Sequence, residues 1–127
     1  MKSYTDIEQS RKLAEFLPLE SADMFYHYNV GIKSYYEDTP RVIQVNNHFV
    51  FFHRDIPCWS LAALIDIIPK RIKEDNVLRI DIGEKDFSIW YDEIGYGVNT
   101  ELPDITMECP VDACVEMIEK LHELNLL

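Results

Sequence analysis

The sequence predicts an α+β fold in which an antiparallel sheet of about 4–6 strands carries three helices, N-terminal, central and C-terminal, on one face. Three observations lead there. Leu61, Leu64, Ile65 and Ile68 recur at the i, i+3, i+4, i+7 spacing of a helix face, and Val111, Cys114, Val115, Ile118 and Leu121 form a second such face. Leu78, Ile80 and Ile82 alternate with Arg79 and Asp81, as one side of a half-buried strand does. Between these segments stand turn residues, with no repeat and no low-complexity tract.

In chain order, Thr5-Asp6-Ile7-Glu8 has the form of a capping box and predicts a helix through Leu17 that Pro18 stops. Met24 to Val30 alternates Met24, Tyr26, Tyr28 and Val30 against Phe25, His27 and Asn29, which predicts a strand ended by Gly31. Arg41 to His53 reads as a hairpin turning at Asn46-Asn47, since asparagine tolerates the positive φ that a two-residue turn demands. Val45 would then face His48, and Ile43 would face Val50.

Pro57 suits the first turn of a helix, where a missing N–H is no loss, so the central helix is expected to start beside Cys58 and to end at Pro69. Leu78 to Ile82, a turn over Gly83 to Asp86, and Phe87 to Tyr91 predict a second hairpin, with a further strand near Tyr96 to Thr100. Pro110 opens the last helix, and Asp112 favours its positive end.

A chain of 127 residues suits a single globular domain, residues 1–127. With 47% hydrophobic and 28% charged residues, 4 Gly and 6 Pro, it lacks the low hydrophobicity that marks disorder. The start, MKSYTDIEQS, has no apolar run behind its lysine and does not read as a signal peptide. No segment approaches the roughly 18–20 apolar residues of a membrane span, so a cytoplasmic protein without a membrane partner is expected. Cys58, Cys109 and Cys114 have neither disulfide-framework nor zinc spacing, which predicts reduced thiols.

The formal net charge is −11, and residues 74–127 account for all of it, with 14 acidic side chains against Arg79, Lys85 and Lys120. Such a surface repels phosphate backbones and anionic membranes, whose binding relies on clustered Lys and Arg. Direct nucleic-acid binding is therefore excluded from the expectation, and a basic protein partner is favoured, a nucleic-acid mimic among the forms this could take.

The stretches QSRKLAEFLPLESADM, IPCWSLAALIDIIPK and PVDACVEMIEKLHELNLL, in this order, resemble those of small uncharacterised proteins encoded by phages and mobile elements of gut Bacteroides-type bacteria. The resemblance implies a bacterial cytoplasm and a mobile-element setting. It implies no activity and no catalytic residue.

Candidate sites are few. Cys58 stands near a helix start with His53 upstream, an arrangement that can activate a thiol, but its neighbours Ile56, Trp59 and Leu61 fit a buried small hydrophobe better. Cys109 is weighed the same way, and Ser60, in WSLA instead of G-x-S-x-G, is expected to cap a helix. His48 and His53, five apart on one strand, point to opposite faces and cannot share a metal, while His27 and His122 join them only by tertiary accident. No metal and no cofactor is expected, since EF-hand and phosphate-loop spacings are absent.

The most site-like group is Trp90, Asp92, Glu93 and Tyr96: aromatic faces and two acids beside Gly95 and Gly97, fit to hold a sugar or a basic group. A solvated hairpin turn has the same composition. Tyr26, Tyr28, Tyr35 and Tyr36 are expected in the core with hydroxyls at its rim, against the alternative of an exposed recognition patch. The function predicted is a non-enzymatic accessory or binding protein whose acidic C-terminal part meets a basic protein surface. The alternatives are a small-molecule enzyme using Asp92 and Glu93 or Cys58, and a homo-oligomeric structural protein.

Overall fold

The computed structural model describes residues 2–36, 39–43 and 54–127. It is α+β, as the periodicities predict, and its strands form three antiparallel sheets of three, two and five strands. Backbone contacts divide the chain into two compact units, residues 4–63 and residues 64–127 together with 2–3. The chain passes from one to the other within a helix, α2, Leu61–Ile67.

The first unit opens with α1, Ile7–Ala14. Its cap lies one residue later than Thr5-x-x-Glu8 suggests: Asp6 accepts from the Gln9 N–H at 2.8 Å, and the Gln9 side chain accepts from the Asp6 N–H at 3.1 Å. Thr5 is unavailable for capping because its side chain is committed inward, where it is fully buried. The helix also ends at Ala14, short of Leu17; Leu13 is its buried apolar anchor, and Leu17 is buried just beyond its end.

The single strand expected from Met24 to Val30 is two short ones, β1 at Met24–Tyr26 and β2 at Tyr28–Asn29. The break falls at His27, whose Nδ1 lies 3.1 Å from the enclosed carboxylate of Asp55, which also accepts the Tyr28 N–H at 3.1 Å. β2 forms a hairpin with β3, Ser34–Tyr35, and Asn29 Oδ1 accepts from the Ile32 N–H at 3.1 Å inside the turn. Next come β4, Arg41–Val42, and β5, Ile56–Cys58, which flank β1 in the three-stranded sheet. The turn expected at Asn46-Asn47, with the pairs Val45/His48 and Ile43/Val50, lies outside the described residues, as do His48 and His53.

Pro57 is not at a helix start. It lies in β5, an edge strand, opposite Phe25, a position where a residue without an N–H is tolerated. α2 begins three residues after Cys58, and Ser60 caps it as expected, its Oγ accepting from the Ala63 N–H at 3.2 Å. Asp23 in turn holds Ser60, accepting its N–H at 2.9 Å and also its hydroxyl. Among the four tyrosines, Tyr26 is buried, Tyr28 and Tyr35 are half-buried and pack edge to face, and Tyr36 is exposed.

The second unit is built on the five-stranded sheet. β6, Arg71–Ile72, β7, Asn76–Ile82, and β8, Phe87–Glu93, are consecutive antiparallel neighbours, and the far edge of β8 carries both β9, Gly97–Val98, and β10, Ile105–Met107. Alternation along β8 buries Phe87, Ile89 and Tyr91 on one face. α3, Pro110–Glu123, packs on β8 and β10 and buries Val111, Cys114, Val115, Ile118 and Leu121 completely or almost so. The opposite face of the sheet carries Arg79, Asp81, Ser88, Trp90, Asp92 and Thr106. Among the described residues, no helix is long and apolar enough to cross a membrane.

Candidate functional site

At one end of the five-stranded sheet, three loops converge. Ile72 pairs with Asn76, which leaves Lys73, Glu74 and Asp75 as a three-residue turn, and Glu93 pairs with Gly97, which leaves Ile94, Gly95 and Tyr96 as another. Asn76 and Glu93 face each other directly across β7 and β8, so both turns leave from the same place. The Ile94 N–H donates to the Asp75 carbonyl at 2.8 Å and ties one turn to the other. The third loop follows β9, where the Asn99 N–H donates to the Tyr91 carbonyl at 2.9 Å.

The backbone pays locally for these turns. Gly95 and Gly97 have φ of +86° and +85°, where glycine is free of Cβ strain, but Lys73 and Glu74 hold left-handed φ of +52° and +63° with full side chains.

A hydrogen-bonded amide pair, the buried Asn76 and the half-buried Asn99, forms the floor. Asn76 donates to the Ile72 carbonyl at 3.1 Å and accepts from Asn99 Nδ2 at 2.8 Å, while Asn99 Oδ1 accepts the Glu101 N–H at 2.9 Å. Above it opens a groove of about 460 Å³, lined by Asp75, Glu93 and Glu101, with Val98 and Thr100 beside them and Lys73 as the one basic residue lining it among the described residues. The volume lies in the range of small ligand sites. Three ionised carboxylates offer acceptors only, so the groove suits a cation that brings its own N–H donors.

The four residues singled out from the sequence do not form one site. Glu93 lines the groove, and Tyr96 stands at the hairpin tip, 84% exposed. Trp90 and Asp92 lie on the sheet face opposite α3, where Trp90 Nε1 donates to Asp92 Oδ1 at 2.8 Å and Arg79 Nε to Asp92 Oδ2 at 3.3 Å. Asp92 and Glu93 are adjacent strand residues and point to opposite faces, so they do not converge on a substrate as a glycosidase pair must. Asp75 and Glu101, which share the groove with Glu93, were not identifiable by spacing, because the strands and turn of the β7–β8 hairpin separate Glu93 from Asp75.

Cys58 is closed off from chemistry. It is fully buried, and burial pushes its thiol pKa up, against the smaller lowering effect of hydrogen bonds from Thr5, Tyr26 and Ser10. Cys114 is likewise buried, and its pKa is pushed up to about 12, again chiefly by desolvation. Cys109 precedes α3, is half-exposed, and makes no side-chain cap bond there. Among the described residues, no three His, Cys, Asp or Glu side chains are grouped as metal ligands.

The other carboxylates of residues 74–127 are dispersed. Asp112, Glu116, Glu119 and Glu123 lie along α3, with Lys2 2.7 Å from Asp112 and Lys120 3.7 Å from Glu116. Glu84 and Asp86 flank Lys85 in the β7–β8 turn, and Asp81 is on the open sheet face. No protein-family model, no curated protein and no solved structure matches the chain.

Proposed function

We propose that the C-terminal unit is a recognition module for a basic segment of a partner protein, with one lysine or arginine side chain entering the groove between Asp75, Glu93 and Glu101. In the setting that the sequence resemblance implies, this is a non-enzymatic accessory protein of a phage or mobile element. The observation that supports it is that Asp75 of the β6–β7 turn, Glu93 at the end of β8 and Glu101 of the loop after β9 line one concavity, with Lys73 the one ammonium group lining it among the described residues. The amide pair Asn76 and Asn99 braces the floor, so the acidic walls are carried on well-connected loops. Electrostatic complementarity of this kind speeds association and weakens as salt rises.

Calorimetric titration with a lysine-rich peptide and with its glutamate counterpart, at low and high salt, tests the reading. The lysine peptide should bind, and the double substitution Glu93→Gln and Glu101→Gln should weaken it about tenfold, or ~1.4 kcal/mol. Trp90→Ala, on the opposite sheet face, should leave the affinity unchanged. Equal affinity of the double variant and the parent protein would refute the groove as the recognition site.

A further inference from the structure

Among the described residues, the outer edge of β7 is open along its second half. The Leu78 N–H donates to the Lys70 carbonyl at 2.9 Å, so the even-numbered residues of β7 turn their main-chain groups toward β6. Ile80 and Ile82 continue this alternation beyond the end of β6, and no strand among the described residues pairs with them on that side. Their side chains, opposite Ile89 and Phe87, lie on the α3 face of the sheet and are 37% and 79% exposed. Asp81 projects from the other face opposite Ser88, is exposed, and makes no ion pair among the described residues. An edge with free donors, free acceptors and apolar flanks is a template for another strand.

A second copy of the chain does not fit this edge through its own β7. Antiparallel self-pairing centred on Ile80 would put Ile82 of the copy beside Leu78, where Lys70 already lies. Centred on Asp81, it would set two carboxylates directly opposite each other, in a pair whose side chains lie close together. Centred on Ile82, it would run into the turn at Gly83, whose N–H donates to Asp86. We infer that the β7 edge accepts an extended segment of a different protein, alternating apolar and basic residues, its apolar side chains on Ile80 and Ile82 and its lysine or arginine opposite Asp81. This inference does not depend on the groove, which lies at the other end of β7, beside Asn76.

The probe is a capped seven-residue peptide of alternating valine and lysine with threonine ends, compared with the same peptide carrying glutamate for lysine. Amide exchange followed by NMR should slow about tenfold at Ile80 and Ile82 with saturating lysine peptide, and not with the glutamate peptide. Asp81→Lys, a surface change, should exchange the two preferences, while Glu93→Gln with Glu101→Gln should leave protection at Ile80 and Ile82 intact. The inference is overturned if neither amide is protected, if Asp81→Lys has no effect on the choice of peptide, or if the two amides become protected on concentrating the protein alone.

Discussion

The Cys58 thiol donates to the main-chain oxygen of Thr5 at 3.4 Å, and the Thr5 hydroxyl donates to the Cys58 sulfur at 3.6 Å. The same Thr5 hydroxyl oxygen accepts the Trp59 N–H at 3.1 Å and lies 2.7 Å from Ser10 Oγ, while its carbonyl also accepts from the Tyr26 phenol at 2.6 Å. Every polar group in this buried cluster has a partner, and the sulfur is an interior acceptor with no route to solvent.

Thiol reactivity should follow burial. In the folded protein, an aromatic disulfide reagent should titrate Cys109 alone, and Cys58 and Cys114 should react only after denaturation. Cys58→Ala should leave partner binding intact. Rapid labelling of Cys58 in the native state would contradict the enclosure described here.

The same thiols set an alkaline stability limit. Burial raises their pKa above the unfolded value, so the stabilisation is complete below that value and is lost as pH rises toward the folded one. For Cys114 the window runs from the ordinary 9.0 to about 12. Urea midpoints should be flat below pH 8 with respect to these groups and fall above pH 9, with a slope of about 1.4 kcal/mol per pH unit for each thiol. Cys114→Ala should reduce that slope.

Core packing around α2 is measurable at one position. Leu64 is fully buried, and Leu64→Ala should cost about 2–5 kcal/mol in chemical denaturation. Leu61, only half-buried at the helix start, should cost less when truncated.

The cap of α1 distinguishes two adjacent residues. Asp6→Ala should lose about 0.5–2 kcal/mol through the missing bond to the Gln9 N–H. Thr5→Val should act differently, leaving the Trp59 N–H without its acceptor inside the core, at a cost of about 1–3 kcal/mol. Helix content by circular dichroism should fall for the first variant and hold for the second.

Left-handed strain in the β6–β7 turn is open to relief. Glu74→Gly should stabilise the protein by up to about 1 kcal/mol, because φ of +63° costs glycine nothing. An unchanged or lowered melting temperature would show that the glutamate gains more from its surroundings than its backbone loses.

The elements that were legible in the sequence are those whose pattern is long and local. The β7–β8 hairpin and α3 follow from alternation and helical spacing over seven or more residues, and the Gly83–Asp86 turn falls where its residues require it. Pro57 departs from the expected helix start because a proline in a first helical turn and a proline in an edge strand have the same local signature, and only the pairing with Phe25 distinguishes them. β6 and β10, with two and three residues, are too short for any period to show. Glu93 drew notice in the sequence through its aromatic and glycine neighbours, and it lines the groove. Trp90 and Asp92 were not separable from it, because only the pleat sends them to the other face, and the remaining walls of the groove come from strand register, which no local spacing encodes.

Thr5 and Trp59 exchange main-chain and side-chain bonds across 54 positions of sequence. The amino-terminal unit therefore cannot be completed before β5 has been made: a nascent chain stopped short of Ile56 lacks the strand that pairs with β1 and the Trp59 N–H that the Thr5 hydroxyl accepts. Closing a loop of that length costs chain entropy before the contacts that offset it form, so assembly of this unit waits on a long-range pairing.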